Sequence, residues 1–327
     1  MKTLYLHAGA HKTGSSSIQD NLAKFTQELE SIGLTYLTEW NDDFAYPHHK
    51  FRSTGNANPL AYTMRWYGDK ETYKDFAPEA VFEHLFRTIA DKNTVIVSHE
   101  DLISAPKHFL ETFRRVAEAA GWQVKPVVFV RDQISWHVSN YNQHIRQNRY
   151  TGRFEDMVAK SLPAANWSAH VGRFEEVFGK ENTIVRLFDK SLVKSSISAF
   201  FVEGLGLDGS MLEHVEETKT NVGISTADAL VLVHLNRCSD DAQLSNKVTS
   251  LLRKLPRGGD CELVTPEMAD FIRAYYSESN ALLLSGHFSQ LEKERFEEVM
   301  SAPRARGETL SRALDRAVGV IHEILAD

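Results

Sequence analysis

Residues 3 to 29 read as strand, glycine loop and helix in immediate succession. Thr3 to Ala8 carries Leu4 and Leu6 in partial alternation, Gly9 and Gly14 follow with GxxxxG spacing, and Ile18, Leu22, Phe25 and Leu29 fall at i, i+4, i+7 and i+11, one apolar face of a helix. This order brings backbone N–H groups and a helix N-terminus to one point, an arrangement that holds phosphate and other anions. It also implies that the next strand is reached by a helical crossover, and so lies parallel to the first.

The same alternation returns down the chain. Gly33 stops the first helix, and Leu34 to Leu37 offers a short strand. Val81, Leu85, Phe86 and Ile89 make a helical face before the buried-strand candidate Thr94 to Ser98, which ends at His99, Glu100 and Asp101. Phe109, Phe113, Val116 and Ala120 form the next helix, with Gly121 as its stop. Val127 to Val130 is a second strongly apolar strand, ending at Arg131 and Asp132 and followed by a helix through Ile134, Val138, Tyr141 and Ile145. A helix closing near Phe178, a strand over Thr183 to Leu187 and a helix through Ile197 and Leu205 complete the series. Short apolar strands that alternate with amphipathic helices predict an α/β fold, a parallel sheet flanked by helices on both faces. The region 40 to 77 shows no periodicity and reads as a long irregular excursion. After Gly206 only helices are expected, around 226–237, 266–284 and 310–325, so residues 1–205 form the α/β core and 206–327 a helical C-terminal extension of the same domain.

Composition narrows the partners. With 37 Lys and Arg against 44 Asp and Glu, the net charge of −7 argues against nucleic acid as the main partner, though a small basic pocket for one anionic ligand remains compatible. Cys238 and Cys261 are too few for a disulfide framework. No apolar run reaches bilayer-spanning length, and the N-terminus lacks the apolar core of a secretion signal, so a soluble, cytoplasmic protein is expected. His48 and His49, being adjacent, do not have the spacing of a metal site, and no metal is expected.

The residues inside the loop sharpen its chemistry. Nucleoside triphosphatases place Lys and then Ser or Thr directly after the second glycine. Here Ser15 and Ser16 stand there, and Lys12 comes two positions before Gly14. A lysine so placed reaches the bridging oxygen between a donor phosphate and the group being transferred. The hydroxyls of Thr13, Ser15, Ser16 and Ser17 supply hydrogen bonds where a triphosphatase would use a metal ion. Neither apolar strand, Val95 to Val97 or Val127 to Val130, ends directly in a metal-holding Asp. The run His11-Lys-Thr-Gly-Ser-Ser16 resembles the 5′-phosphosulfate loop of sulfotransferases that use 3′-phosphoadenosine 5′-phosphosulfate (PAPS), with His11 in place of the usual proline, as in some bacterial and carbohydrate-type members.

That resemblance extends to a second signature, a strand ending in Arg with Ser eight positions later on the next helix. Arg131 and Ser139 fit it, which implies that they hold the donor's 3′-phosphate; Gln133 replaces a proline common in the family. It implies a P-loop, sulfotransferase-like fold, with Lys12 catalytic and His11 to Ser17 cradling the 5′-phosphate. The general base is left open. In cytosolic members a His just past a strand serves, which corresponds to His99 here, with Glu100 adjacent. In carbohydrate-type members a Glu soon after the first helix serves, which points to the Glu39 region or to the candidate substrate residues His48 and His49. The implied reaction is sulfuryl transfer from PAPS, leaving 3′,5′-ADP (PAP), to the hydroxyl of a small molecule or glycan. Two alternatives are a metal-dependent P-loop kinase and a non-catalytic nucleotide-binding protein on the same fold.

Overall fold

A computed structural model of the chain describes residues 2–47, 53–194, 196–217, 225–254, 263–302 and 317–319. The strands are β1 (Lys2–His7), β2 (Thr35–Tyr36), β3 (Thr94–Ser98), β4 (Trp122–Val130) and β5 (Ile184–Leu187). Helices α1 (Ser15–Lys24) and α2 (Thr26–Ser31) precede β2, and α3 (Asn58–Trp66) and α4 (Pro78–Thr88) precede β3. Helix α5 (Lys107–Ala119) leads to β4, and α6 (Gln133–Asn148), α7 (Phe154–Ser161) and α8 (Trp167–Phe178) lead to β5. Then come α9 (Ile197–Gly204), α10 (Thr226–Cys238), α11 (Ala242–Lys254), α12 (Pro266–Gly286) and α13 (Gln290–Ser301).

All five strands run parallel in the order β2-β3-β1-β4-β5. The connection from β1 leads to one edge of the sheet, whereas those from β3 and β4 lead toward the other. Right-handed crossovers therefore put α1 and α2 on one face and α5 and α8 on the opposite face. Strand alternation sorts the core accordingly. Tyr5, Ile96, Val127 and Phe129 pack with Ile18 and Leu22 of α1, Leu29 of α2 and Phe201 of α9. Leu4, Leu6, Val95 and Val97 point the other way and are fully buried. Phe82 of α4 meets Phe109 and Phe113 of α5 edge-to-face, and burying each such ring contributes about 2–3 kcal/mol.

The chain divides into two compact units. The first comprises Met1–Arg131, Trp167–Asn221 and Leu282–Glu292 and contains the sheet; the second comprises Asp132–Asn166, Val222–Ala281 and Lys293–Asp327. Within the second, Asn236 of α10 donates to the Ile145 carbonyl of α6 at 3.1 Å. His137 of α6 meets Ser161 Oγ at 3.2 Å and Tyr276 Oη at 3.1 Å.

The α/β architecture and the parallel sheet are as expected from the sequence. Three local differences have physical causes. The first predicted helix breaks at Phe25, which separates α1 from α2. The stretch 40 to 77, expected to be irregular, contains α3, whose residues Asn58 to Thr63 are all buried, so no polar face marks its period. β4 begins at Trp122, earlier than the apolar run Val127 to Val130, and includes Pro126. The ladder to β5 starts only at Val127, so the missing proline N–H interrupts no pairing. The helix expected at 310–325 lies almost wholly outside the described residues.

Candidate functional site

The loop begins as a continuation of β1. Ala8 N donates to the Val127 carbonyl at 2.9 Å, Phe129 N to the Gly9 carbonyl at 2.7 Å, and Ala10 N to the Phe129 carbonyl at 2.7 Å. The backbone then turns sharply, with positive φ at Gly9 (93°), Lys12 (68°) and Gly14 (79°). Left-handed residues interleaved with residues of negative φ are the backbone pattern from which anion nests are built. Lys12 is the residue here for which that conformation is costly, by roughly 1–2 kcal/mol. The loop is braced from within. Thr13 Oγ1 and Ser15 Oγ both donate to the Ala10 carbonyl, at 2.6 and 3.0 Å, so two of the predicted phosphate-binding hydroxyls already spend their protons on the loop. Helix α1 starts directly behind, and its N-cap Gly14 supplies no side-chain acceptor to the first-turn amides.

Two neighbours fix the loop's position. A Cβ on Gly9 would stand 3.0 Å from the Glu100 carbonyl oxygen, so the loop lies directly on the backbone that follows β3. A Cβ on Gly14 would stand 2.9 Å from Phe188 Cζ and Ile197 Cδ1. Glycine is needed at both positions, for φ and for room.

Cations gather at this point. Arg131, at the end of β4, donates from Nη1 to the Lys12 carbonyl at 3.4 Å, while its own carbonyl accepts from Trp167 Nε1 at 2.7 Å. The two predicted donor signatures, far apart in sequence, thus have Lys12 and Arg131 in one place. Ser139 lies on α6, in the second unit. His11 Nε2 stands 3.4 Å from Asp101 Oδ1, and Arg65 Nη2 of α3 stands 3.3 Å from Asp101 Oδ2. The sequence reading gave Arg65 and Asp101 no role, because their pairing is purely tertiary.

On the β3 side, register pairs His7 with Ser98, and His7 Nδ1 lies 2.7 Å from Ser98 Oγ. His7 is fully buried, its ring edge-on to Phe129 and Phe201, and desolvation lowers its pKa to about 4 against a partial opposing effect of Glu100. His99 is also buried. Its Nδ1 accepts from Asp101 N at 3.1 Å and so caps the 3₁₀ turn Glu100–Ser104, which leaves the proton of the neutral ring on Nε2. Burial lowers the His99 pKa, opposed by Glu100 and Asp101. For Glu100, burial pushes the pKa up, but His99 in its charged form, its own backbone N–H, His11 and Gln19 hold the carboxyl below the usual Glu range, so that His99 and Glu100 titrate as a pair. Gln19 Nε2 is 3.2 Å from Glu100 Oε2 and 3.0 Å from Ser98 Oγ. His48 and His49 lie outside the described residues.

No sequence profile of a known family and no curated protein matches the chain. Among solved structures, a sulfotransferase from Alicyclobacillus acidocaldarius is similar at 18% identity, covering 77% of this chain and 99% of that one, with a TM-score of 0.38. A structure of the PezAT chromosomal toxin–antitoxin system of Streptococcus pneumoniae is similar at 15% identity, covering 78% of this chain and 88% of that one, with a TM-score of 0.29. Likenesses this remote carry no argument about activity.

Proposed function

We propose that the chain is a sulfotransferase that moves a sulfuryl group from PAPS to an acceptor hydroxyl. The observation that carries this reading is the meeting of Arg131 Nη1 with the Lys12 carbonyl, at 3.4 Å, beside a loop of nest geometry at the end of the central strand. A loop with one lysine fits one phosphate. A second, forked cation beside it fits a donor that carries another phosphate, at its 3′ position.

In this reading the loop amides from His11 to Gly14, the first-turn amides of α1 and the hydroxyls of Ser16 and Ser17 hold the 5′-phosphate. Thr13 and Ser15 keep the loop in shape through Ala10 and offer their oxygens only as acceptors. Lys12 neutralises the charge that develops on the leaving phosphate oxygen. Arg131 holds the 3′-phosphate, and Ser139 joins it on the strength of the sequence spacing. The acceptor oxygen forms the new bond to sulfur as the bond from sulfur to the 5′-phosphate oxygen breaks, and PAP leaves. The acceptor proton passes to Glu100. Of His99 and Glu100, Glu100 is favoured, because its backbone and Cβ lie against Gly9 and its carboxylate accepts from Gln19, whereas the His99 ring is buried and its Nδ1 is engaged in capping. A carbohydrate hydroxyl is the acceptor class, carried over from the resemblance of the loop to carbohydrate-type enzymes.

Incubation with radiolabelled PAPS and a panel of oligosaccharides, without added metal, tests the proposal. Label should move to a hydroxyl acceptor, fall to background in Lys12→Ala, and slow by about 10²–10⁴-fold in Glu100→Gln. Transfer of phosphate from ATP–Mg²⁺ in place of sulfuryl transfer would make the protein a kinase. Retention of PAP without turnover on any acceptor would leave it a binding protein.

A further inference from the structure

We infer that Gln19 is a positioning residue that fixes the Glu100 carboxylate against the donor loop; the inference rests on the reading of Glu100 as the base. Gln19 sits on α1, a few residues past Gly14, and is completely buried although it carries a primary amide. A buried amide is tolerated only if its hydrogen bonds are made. Here Nε2 reaches Ser98 Oγ at 3.0 Å and Glu100 Oε2 at 3.2 Å, and Oε1 lies 3.0 Å from Thr54 Oγ1.

The network admits one orientation of the amide. A carboxylate only accepts, so the atom facing Glu100 must be the nitrogen. Oε1 then faces Thr54, whose hydroxyl donates to it. Ser98 Oγ, which accepts from Gln19, also lies 2.7 Å from His7 Nδ1, so one hydroxyl joins the two buried side chains. Gln19 is thereby tied to Thr54, Ser98 and Glu100 at once, with His7 behind Ser98.

The surroundings hold Gln19 in place. A Cβ on Gly55 would stand 2.2 Å from the Ser98 carbonyl oxygen and 2.8 Å from Gln19 Nε2, so the segment after Ser53 closes tightly over the amide. Asn56 Oδ1 accepts from Ser98 N at 2.7 Å, and Ala57 N donates to the Ser98 carbonyl at 3.1 Å. A carboxylate oriented by a locked partner is more precisely placed than one on a free side chain. Because Gln19 belongs to the helix that opens at the donor loop, loop and base are referenced to one rigid element. The groups facing Glu100 are His7 from β1, His11 from the loop, Tyr36 from β2 and His99 beside it. Gln19 carries no charge in any state, so its removal changes the carboxylate's hydrogen bonding without removing a charge.

The test is the pH profile of kcat/KM for sulfuryl transfer in Gln19→Met and Gln19→Glu, beside Glu100→Gln and the wild type. In Gln19→Met the acid limb should move up by about one pH unit, as expected for loss of a hydrogen bond to a charged acceptor, with PAP binding unchanged. Gln19→Glu sets a second carboxylate against the first and should move the limb further in the same direction. If Gln19→Met folds and keeps the wild-type acid limb, Gln19 does not position the base. Should Gln19→Met not fold, Thr54→Val at an exposed position removes the hydroxyl that orients the amide and must shift the limb in the same direction; an unmoved limb there overturns the inference equally. Full turnover in Glu100→Gln would instead sink the reading of Glu100 as the base, a different failure.

Discussion

A Cβ at position 55 would meet a backbone carbonyl, and a backbone cannot yield as a flexible side chain can. Gly55→Ala should therefore cost about 1–3 kcal/mol through overpacking, and it should slow turnover by displacing Gln19 and Ser98 together. Gly33→Ala is the matched control. Gly33 also has a special backbone, with φ of 75°, but a Cβ there meets nothing within 4 Å. Its cost should be confined to the left-handed conformation, roughly 1–2 kcal/mol, with normal turnover. Urea unfolding and a transfer assay on both variants check the pair. Equal turnover in the two would show that the packing around Ser98 does not reach the reaction.

At the scale of elements, legibility followed the range of the interactions involved. β3 was readable to the residue because its signal is local, the apolar run Val95–Val97 between Thr94 and Ser98. The loop was readable because glycine spacing and the displaced Lys12 are sequence properties. β4 was readable only in the part where neighbours cover it on both sides, since Gln123 and Lys125 interrupt its apolar character and Pro126 argues against a strand. Helix α3 was hidden by burial around its first turns. The polar network of Gln19, Ser98, Thr54 and His7 was not legible at all. Each is an ordinary residue on its own element, and only the pairing of β1 with β3 and the closure of the segment at Gly55 bring them together. Arg65 and Asp101 were missed for the same reason.

For the whole molecule, each unit contains a fully buried histidine whose pKa desolvation lowers to about 4, His7 in the first and His137 in the second. An unfolded histidine takes up a proton near pH 6.5, whereas these remain neutral in the fold until about pH 4. Between those values the unfolded chain binds more protons, so stability rises with pH; the contribution is complete above pH 6.5 and lost progressively toward pH 4. Each histidine accounts for roughly 3 kcal/mol over that window. Urea midpoints should fall steadily from pH 7 to pH 4, and His7→Phe should show a shallower fall even though it loses the bond to Ser98.

The identity of the donor can be tested without knowing the acceptor. Thermal unfolding of the intact protein is measured with PAP, with AMP and with ATP–Mg²⁺, in the wild type and in Arg131→Ala. PAP should raise the melting temperature without metal and by more than AMP does, and Arg131→Ala should reduce the PAP shift to the AMP level, because the guanidinium beside the Lys12 loop is assigned to the 3′-phosphate. No shift with PAP, or a larger one with ATP–Mg²⁺, would rule out PAPS as the donor.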